Sequence, residues 1–139
     1  RPVPIRFQLL IYPATDMTQS FPSQKENAAG PVLTEQAMEW FIGHYMPDKS
    51  QHRHELASPL FSADAMFRDL PPALIITAQY DPLRDEGEAY GAKMIENGSV
   101  ASIIRFNGQF HSFFGMHQLM DDAENAHIIA ANALRKALV

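Results

Sequence analysis

The stretch from Pro71 to Glu86, PPALIITAQYDPLRDE, constrains the fold of this chain more than any other. Two prolines exclude a helix and introduce Ala73 to Ala78, a run that is apolar and rich in β-branched side chains. Such a run, without polar alternation, is typical of a strand buried on both faces of a sheet. We therefore predict a buried strand at about 73–78.

A helix follows this strand after a short loop. Asp85 and Glu88 stand at the spacing of an N-cap and the third helical residue, and Gly98 suits the left-handed residue that ends a helix. These signals predict a helix at about 85–97.

The remaining elements continue the alternation. Short β-rich runs predict strands at about 6–12 and 102–106. Helical spacing of apolar residues predicts helices at about 34–46, capped by Thr34, and at about 121–138, with acidic residues at its start and basic ones near its end. The pattern indicates an α/β fold with three mainly parallel strands, right-handed crossovers and flanking helices.

Two polar, irregular stretches interrupt this pattern. Residues 15–31 are expected to form a loop excursion that contributes to a lid or cap. Residues 47–70 are expected to form a loop with at most a short helical turn.

Composition excludes several classes of function. With 139 residues, 46% hydrophobic and 19% charged, the chain has the make-up of one globular domain. A net charge of −5 without basic runs argues against a nucleic-acid partner, and no apolar stretch is long enough to span a bilayer. The lack of cysteine excludes disulfides and thiolate catalysis and is compatible with the cytoplasm, our expected location. Because the chain begins with Arg1, we expect the protein to start upstream.

Asp81 and His111 are the residues most suited to catalysis. They lie thirty residues apart, each just beyond the end of a predicted parallel strand. Reactive groups gather at the carboxyl ends of such strands. A carboxylate bonded to one imidazole nitrogen fixes the tautomer and leaves the other nitrogen to accept a proton from a hydroxyl nucleophile. The spacing therefore indicates an Asp-His charge pair.

Other candidate residues receive simpler interpretations. His52 and His54, with His44 eight residues before His52, could suggest a metal site, but no third ligand has a suitable spacing, so we predict neither a metal nor a cofactor. His127 falls near the apolar face of the last helix and is interpreted as a packed side chain.

Three serines are candidate nucleophiles. Ser99 belongs to a helix C-terminus at the opposite edge of the predicted sheet from Asp81. Ser58 and Ser112 are better placed, but neither has the glycines of a strained turn that would expose its hydroxyl. The sequence thus predicts an acid and a base without their nucleophile.

Four segments together resemble the C-terminal half of the hormone-sensitive-lipase-like group of α/β-hydrolase carboxylesterases. They are LLIYPATD, MEWFIGHY, ASPLFSADAMFRDLPPALIITAQYDPLRDEGEAYGAKMIENG and FNGQFHSFFGM. The resemblance spans nearly the whole chain, so residues 1–139 are expected to form the C-terminal part of such a catalytic domain. It implies that Asp81 is the catalytic acid and His111 the base, while Arg84 and Asp85 hold the loop and cap the helix.

The resemblance also implies a substrate pocket and a cap. Residues 15–55 would contribute to the cap, and part of the aromatic and methionine-rich set Met38, Trp40, Phe41 and Tyr45 would line an apolar pocket for esters of short or medium acyl chains. Helix packing on the sheet is the alternative explanation for part of this set. The candidate pocket residues are Met38, Phe41, Phe113 and Phe114.

The chain departs from the family pattern in two respects. Ser112 stands where the family usually has glycine after the catalytic histidine. The G-x-S-x-G nucleophile elbow and the HGG-type oxyanion loop precede the LLIYP strand in the family, and neither occurs here. We therefore expect an inactive isolated chain whose partner is the missing N-terminal half of the same protein.

Two alternatives remain open at the level of sequence. The chain could be a non-catalytic binding or dimerisation module, with a homodimer formed through residues 102–106. It could also serve another activity of the fold, as a lipase, amidase or carbohydrate-ester hydrolase, because all of these share the Asp-His pair.

Overall fold

A three-stranded parallel sheet forms the centre of the computed structural model, which describes residues 4–139. Its strands are β1 (Gln8–Ile11), β2 (Ala73–Tyr80) and β3 (Ala101–Phe110), arranged in the order β1-β2-β3. Both pairs of neighbours are parallel. The predicted α/β fold class is confirmed.

The strand boundaries differ from the predicted ones. β1 is shorter than 6–12 because Tyr12 has a positive φ of 36° and Pro13 follows it, although the Tyr12 N–H still donates to the Ile76 carbonyl at 2.7 Å. β3 extends past Phe106 through Gly108, whose φ of +83° accompanies a register irregularity opposite Ala78 to Tyr80. Glycine adopts this left-handed conformation without the cost that a Cβ would impose.

Four α-helices flank the sheet: α1 (Pro22–Glu26), α2 (Glu35–Tyr45), α3 (Arg84–Glu96) and α4 (Asp121–Leu138). The predictions for α2 and α4 are confirmed, including Thr34 as a cap, whose hydroxyl accepts from the Ala37 N–H at 3.1 Å. α1 was not predicted. Residues 47–70 contain three short 3-10 turns instead of one at most, at Lys49–Gln51, Pro59–Phe61 and Asp64–Phe67.

The predicted N-cap of α3 was wrong. Leu83, not Asp85, occupies that position, and it makes no side-chain cap. The helix begins earlier because Asp81 organises the preceding turn: its Oδ1 accepts from the Leu83 N–H at 2.9 Å and its carbonyl from the Arg84 N–H at 3.1 Å. The Asp85 carboxylate is therefore available for tertiary contacts.

The central strand β2 is buried on both faces, as its unbroken apolar character predicts. All residues from Ala73 to Ala78 are buried. Alternate side chains of a strand point to opposite faces. Leu74, Ile76 and Ala78 share a core with alanines of α4, whereas Ala73 and Ile75 pack with Met94 of α3 and with Phe67. Burying an isoleucine such as Ile75 contributes about 1.5–3 kcal/mol.

This packing aligns the carboxyl ends of β2 and β3 at the same end of the sheet. The next residues of the chain there are Asp81 and His111. Between residues 4 and 139, no helix has both the length and the apolar character needed to cross a membrane.

Candidate active site

Asp81 and His111 lie in direct contact. His111 Nδ1 is 2.8 Å from Asp81 Oδ2. The Asp81 side chain is completely buried, while that of His111 is 17% exposed. None of the described residues makes a hydrogen bond to His111 Nε2. A buried carboxylate in this position fixes the tautomer with the proton on Nδ1, so Nε2 is free to accept a proton.

The loop behind Asp81 is held by ionic contacts of Arg84 and Asp85. Arg84 donates to the Gln79 carbonyl at 2.9 Å, to Asp85 at 2.8 Å and to Glu26 at 2.7 Å. Burial raises the pKa of the Asp85 carboxyl, but hydrogen bonds from Arg84 and from the Ser23 backbone outweigh it and hold that pKa below its usual value. Asp85 therefore remains a carboxylate that joins the loop to α1.

Sequence reasoning missed Tyr12 as a neighbour of His111. The centroids of their rings lie 4.5 Å apart. Burial, and then the negative charge of Asp81, raise the pKa of Tyr12, so its phenol stays neutral beside the pair. Tyr12 lies just beyond the carboxyl end of β1, and Asp81 and His111 lie just beyond the carboxyl ends of β2 and β3. This position was the signal that could have identified Tyr12 as a neighbour of His111.

An apolar cavity of about 430 Å³ opens at His111. Met38 and Phe41 line it, as the resemblance implies. Tyr45, from the same aromatic and methionine-rich set, also lines it. Sequence reasoning did not single out the other lining residues, which come from the segment between β1 and α2, from α2 and from the Asp81 loop: Ala14, Met17, Leu33, Ile42 and Leu83. Met17, an apolar residue within the polar stretch 15–31, was the available signal.

Phe113 and Phe114 do not line this cavity, contrary to the sequence-based expectation. Phe113 is fully buried in the core beside α4, with its ring centroid 5.1 Å from that of Phe106. Phe114 stacks on His127 at 3.9 Å, and His127 Nε2 lies 2.8 Å from the Phe114 carbonyl. The reason is a 3-10 turn, Phe113–Met116, that packs on α4. His127 is a packed histidine, as predicted.

Ser112 has a left-handed backbone conformation, with φ 73° and ψ 1°. This conformation costs a residue with a Cβ about 1–2 kcal/mol relative to glycine. Its side chain makes no compensating cap hydrogen bond. The structure thus gives a physical reason for the glycine that the family usually has here.

We expect Ser112→Gly to stabilise the chain by about 1 kcal/mol, because it removes the Cβ from a left-handed position. Urea denaturation of the 139-residue chain measures the effect. Ser112→Ala is the matched control, since it deletes the hydroxyl but retains the Cβ. Equal stabilities of the glycine and alanine variants would contradict the strain argument.

The hydroxyls of Ser58 and Ser99 are occupied by backbone groups. Ser58 Oγ accepts from the Met17 N–H at 2.7 Å and donates to the His52 carbonyl. Ser99 Oγ accepts from the Leu70 N–H at 3.0 Å and donates to the Phe67 carbonyl at 2.6 Å, near the amino end of β3. Both side chains thus connect loops, and neither contacts His111.

The histidines considered as metal ligands bond to the backbone instead. His44 Nδ1 lies 2.8 Å from the Trp40 carbonyl, and His52 Nε2 lies 2.8 Å from the Met46 carbonyl. Within the part of the chain that the structure describes, no three His, Asp or Glu side chains group closely enough to hold a metal ion.

Comparisons with known proteins agree with this fold. The family described as the alpha/beta hydrolase fold matches residues 1–115. Carboxylesterase NlhH of Mycobacterium tuberculosis is 34% identical over 137 residues, covering 97% of this chain and 43% of the relative. Ethyl acetate hydrolase of Pseudomonas putida is 30% identical over 133 residues, covering 96% of this chain and 41% of the relative.

Solved structures give the same result. The thermostable carboxylesterase EstE1 from a metagenomic library superposes with a TM-score of 0.89 at 38% identity, covering 97% of this chain and 46% of that structure. Carboxyl esterase 2 of the fungus Tuber melanosporum gives a TM-score of 0.91 at 33% identity, covering 99% of this chain and 46% of that structure. The chain spans less than half the length of these relatives. It belongs to the alpha/beta hydrolase fold family and, within it, to the hormone-sensitive-lipase-like carboxylesterases.

Proposed function

We propose that this chain supplies the acid, Asp81, and the base, His111, of a serine carboxylesterase whose nucleophile lies outside the 139 residues. The 2.8 Å contact between Asp81 and His111 at the mouth of an apolar cavity is the observation that carries the proposal. Similarity to proteins named esterases and carboxylesterases supports it.

The mechanism assigns each proton to an atom. The hydroxyl of a serine from the missing segment attacks the ester carbonyl, and His111 Nε2 takes the proton while Asp81 stabilises the imidazolium through Nδ1. The tetrahedral intermediate then releases the alcohol, which receives the proton from Nε2. A water molecule attacks the acyl-enzyme, His111 again takes and returns a proton, and the carboxylic acid leaves.

The cavity favours esters of short to medium chain length. Its volume is about 430 Å³ and its lining is mostly apolar, from residues such as Met38 and Phe41. An apolar wall binds acyl groups by removing their surface from water. Residues 15–55 contribute to a cap in this proposal, because Leu33, Met38 and Ile42 form a cluster with Leu83 next to the Asp81 loop.

The proposal includes two partners. One is the N-terminal half of the same protein, which would bring the nucleophile and the oxyanion loop. The other is a second copy of the chain, paired through residues 102–106 of β3. The support for the second is that β3 lies at one edge of the described sheet, with its outer backbone groups available.

Hydrolysis of p-nitrophenyl acetate, butyrate and octanoate tests the proposal in two proteins. The 139-residue chain is expected to show no esterase turnover, whereas a protein extended upstream of Arg1 along the same gene is expected to hydrolyse these esters and to lose that activity in His111→Ala. Turnover by the chain alone that is abolished in His111→Ala would refute the missing nucleophile. An extended protein that cleaves only amides or carbohydrate esters, or nothing, would refute the carboxylesterase.

A further inference from the structure

A buried serine connects α1 to the loop that carries Asp81. Ser23 is completely buried. Its Oγ donates to the Pro82 carbonyl at 2.7 Å and accepts from the Asp85 N–H at 3.2 Å, while its own N–H donates to Asp85 Oδ2 at 2.9 Å. One residue of a five-residue helix thus bonds to both sides of the turn that follows Asp81.

Asn27, at the end of α1, adds a contact with Asp81 itself. It is 7% exposed, and its Nδ2 donates to the Asp81 carbonyl at 3.3 Å and to the Ser23 carbonyl at 3.0 Å. The same amide therefore holds the backbone of Asp81 and the backbone of the serine that holds Pro82.

The start of this segment is fixed to the same region of α3. The buried Glu86 carboxylate accepts from the Thr15 N–H at 2.6 Å, the Asp16 N–H at 3.0 Å and Gln24 Nε2 at 2.8 Å. Thr15 Oγ1 returns a hydrogen bond to the Glu86 carbonyl at 2.8 Å. Since residues 15–27 are attached to the first turn of α3 at their start and to the Asp81 loop at their end, the segment cannot shift without breaking several buried hydrogen bonds.

We propose that α1 is a positioning element for Asp81, with Ser23 as its principal positioning residue and Asn27 as its second. The inference rests on the proposed catalytic role of Asp81. Neither residue touches His111 or the cavity, so each acts only through the backbone of the Asp81 loop.

The reason for such an element is geometric. The Asp81 side chain has two hydrogen-bond contacts of its own, with His111 Nδ1 and with the Leu83 N–H, and neither comes from α1. Hydrogen bonds from α1 to the carbonyls of Asp81 and Pro82 fix the position of the Asp81 backbone. They therefore fix the position of the Asp81 carboxylate. Displacement of a reacting group by about 1 Å costs on the order of a hundredfold in rate, so this setting matters for catalysis.

Ser23→Ala tests the proposal, with Ser99→Ala as a matched control. Ser99 is also buried, and its Oγ likewise makes one accepted and one donated backbone hydrogen bond, but it lies near the amino end of β3. The two variants therefore lose equal numbers of hydrogen bonds, and only one of them loses contacts with the Asp81 loop.

The first readout is the ring Nδ1 proton of His111, observed by NMR in the 139-residue chain. We expect Ser23→Ala to shift this resonance upfield and to speed its exchange with water, and Ser99→Ala to leave both unchanged. This measurement needs no ester hydrolysis, so its outcome is independent of whether the proposed esterase activity is found.

The second readout is kinetic and uses the protein extended upstream. We expect Ser23→Ala to lower kcat by about tenfold or more with little change in KM. If Ser23→Ala does not fold, Asn27→Ala takes its place in both measurements, because it removes the bonds to the Asp81 and Ser23 carbonyls. An unchanged His111 proton, or equal changes in the α1 variant and in Ser99→Ala, would overturn the positioning role.

Discussion

Asp81→Asn is expected to lower kcat of the protein extended upstream by about four orders of magnitude, the loss seen when the triad aspartate of a serine protease is changed to asparagine. The cause is the tautomer of His111. Asp81 Oδ1 accepts the Leu83 N–H at 2.9 Å, so the amide oxygen of asparagine occupies that position and its NH₂ faces His111 Nδ1. Nδ1 must then accept, the ring proton moves to Nε2, and the base can no longer receive the proton of the nucleophile.

Glu88→Gln is the matched control for this prediction. Glu88 is also a carboxylate with side-chain partners, namely Arg105 at 2.7 Å and Thr77 at 2.8 Å, but it lies away from His111. The kcat of the Glu88→Gln variant should stay within about threefold of that of the unchanged protein. Retained activity in Asp81→Asn with an intact circular dichroism spectrum would remove Asp81 from the proposed triad.

The acid-base pair was predictable because its signals are local. An apolar run that ends at Asp81 and a second strand that ends near His111 place both residues at one sheet edge once the strands are parallel. No distant contact is needed for that inference. The structure brings the two side chains to 2.8 Å.

The predictions that failed depend on contacts between distant parts of the chain. Phe113 is adjacent to the His111 loop in sequence, but packing of its 3-10 turn on α4 sends it into the core. Asp85 has the spacing of a cap, yet it bonds to Ser23, 62 residues away. Helix α1 is polar and reads as a loop, and its Ser23 and Gln24 are buried only because partners on the Asp81 loop and on α3 satisfy their polar groups.

Glu86 is expected to make the stability of the chain fall as pH rises. Burial, helped by the charge of Asp16 and opposed by hydrogen bonds from Thr15, Asp16 and Gln24, raises the pKa of Glu86 from 4.5 to about 7. Because the folded pKa exceeds the unfolded one, the native state binds a proton that the unfolded state releases between these values. The resulting stabilisation is fully present below pH 4.5 and is lost by about pH 7.

The expected size of this effect is about 3 kcal/mol, from about 1.4 kcal/mol for each unit of pKa difference. Urea denaturation of the 139-residue chain at about pH 5 and about pH 8 measures it, with Glu86→Gln alongside. Glutamine retains an oxygen for the Thr15 and Asp16 N–H groups but does not titrate. Relative to the unchanged chain, the variant should therefore become more stable as pH rises, and contributions of all groups common to both proteins cancel in the comparison.

Glu88→Gln distinguishes this effect from the loss of any carboxylate on α3. Burial raises the pKa of Glu88, but Arg105 and Thr77 outweigh it and hold that pKa below its usual value. Its stabilising contribution is therefore present above the usual range and lost only at lower pH, so Glu88→Gln should shift stability equally at both pH values. If the stability difference between Glu86→Gln and the unchanged chain were also constant, Glu86 would be ionised in the folded state across this range. The three donors that meet its carboxylate would then outweigh the cost of burying its charge.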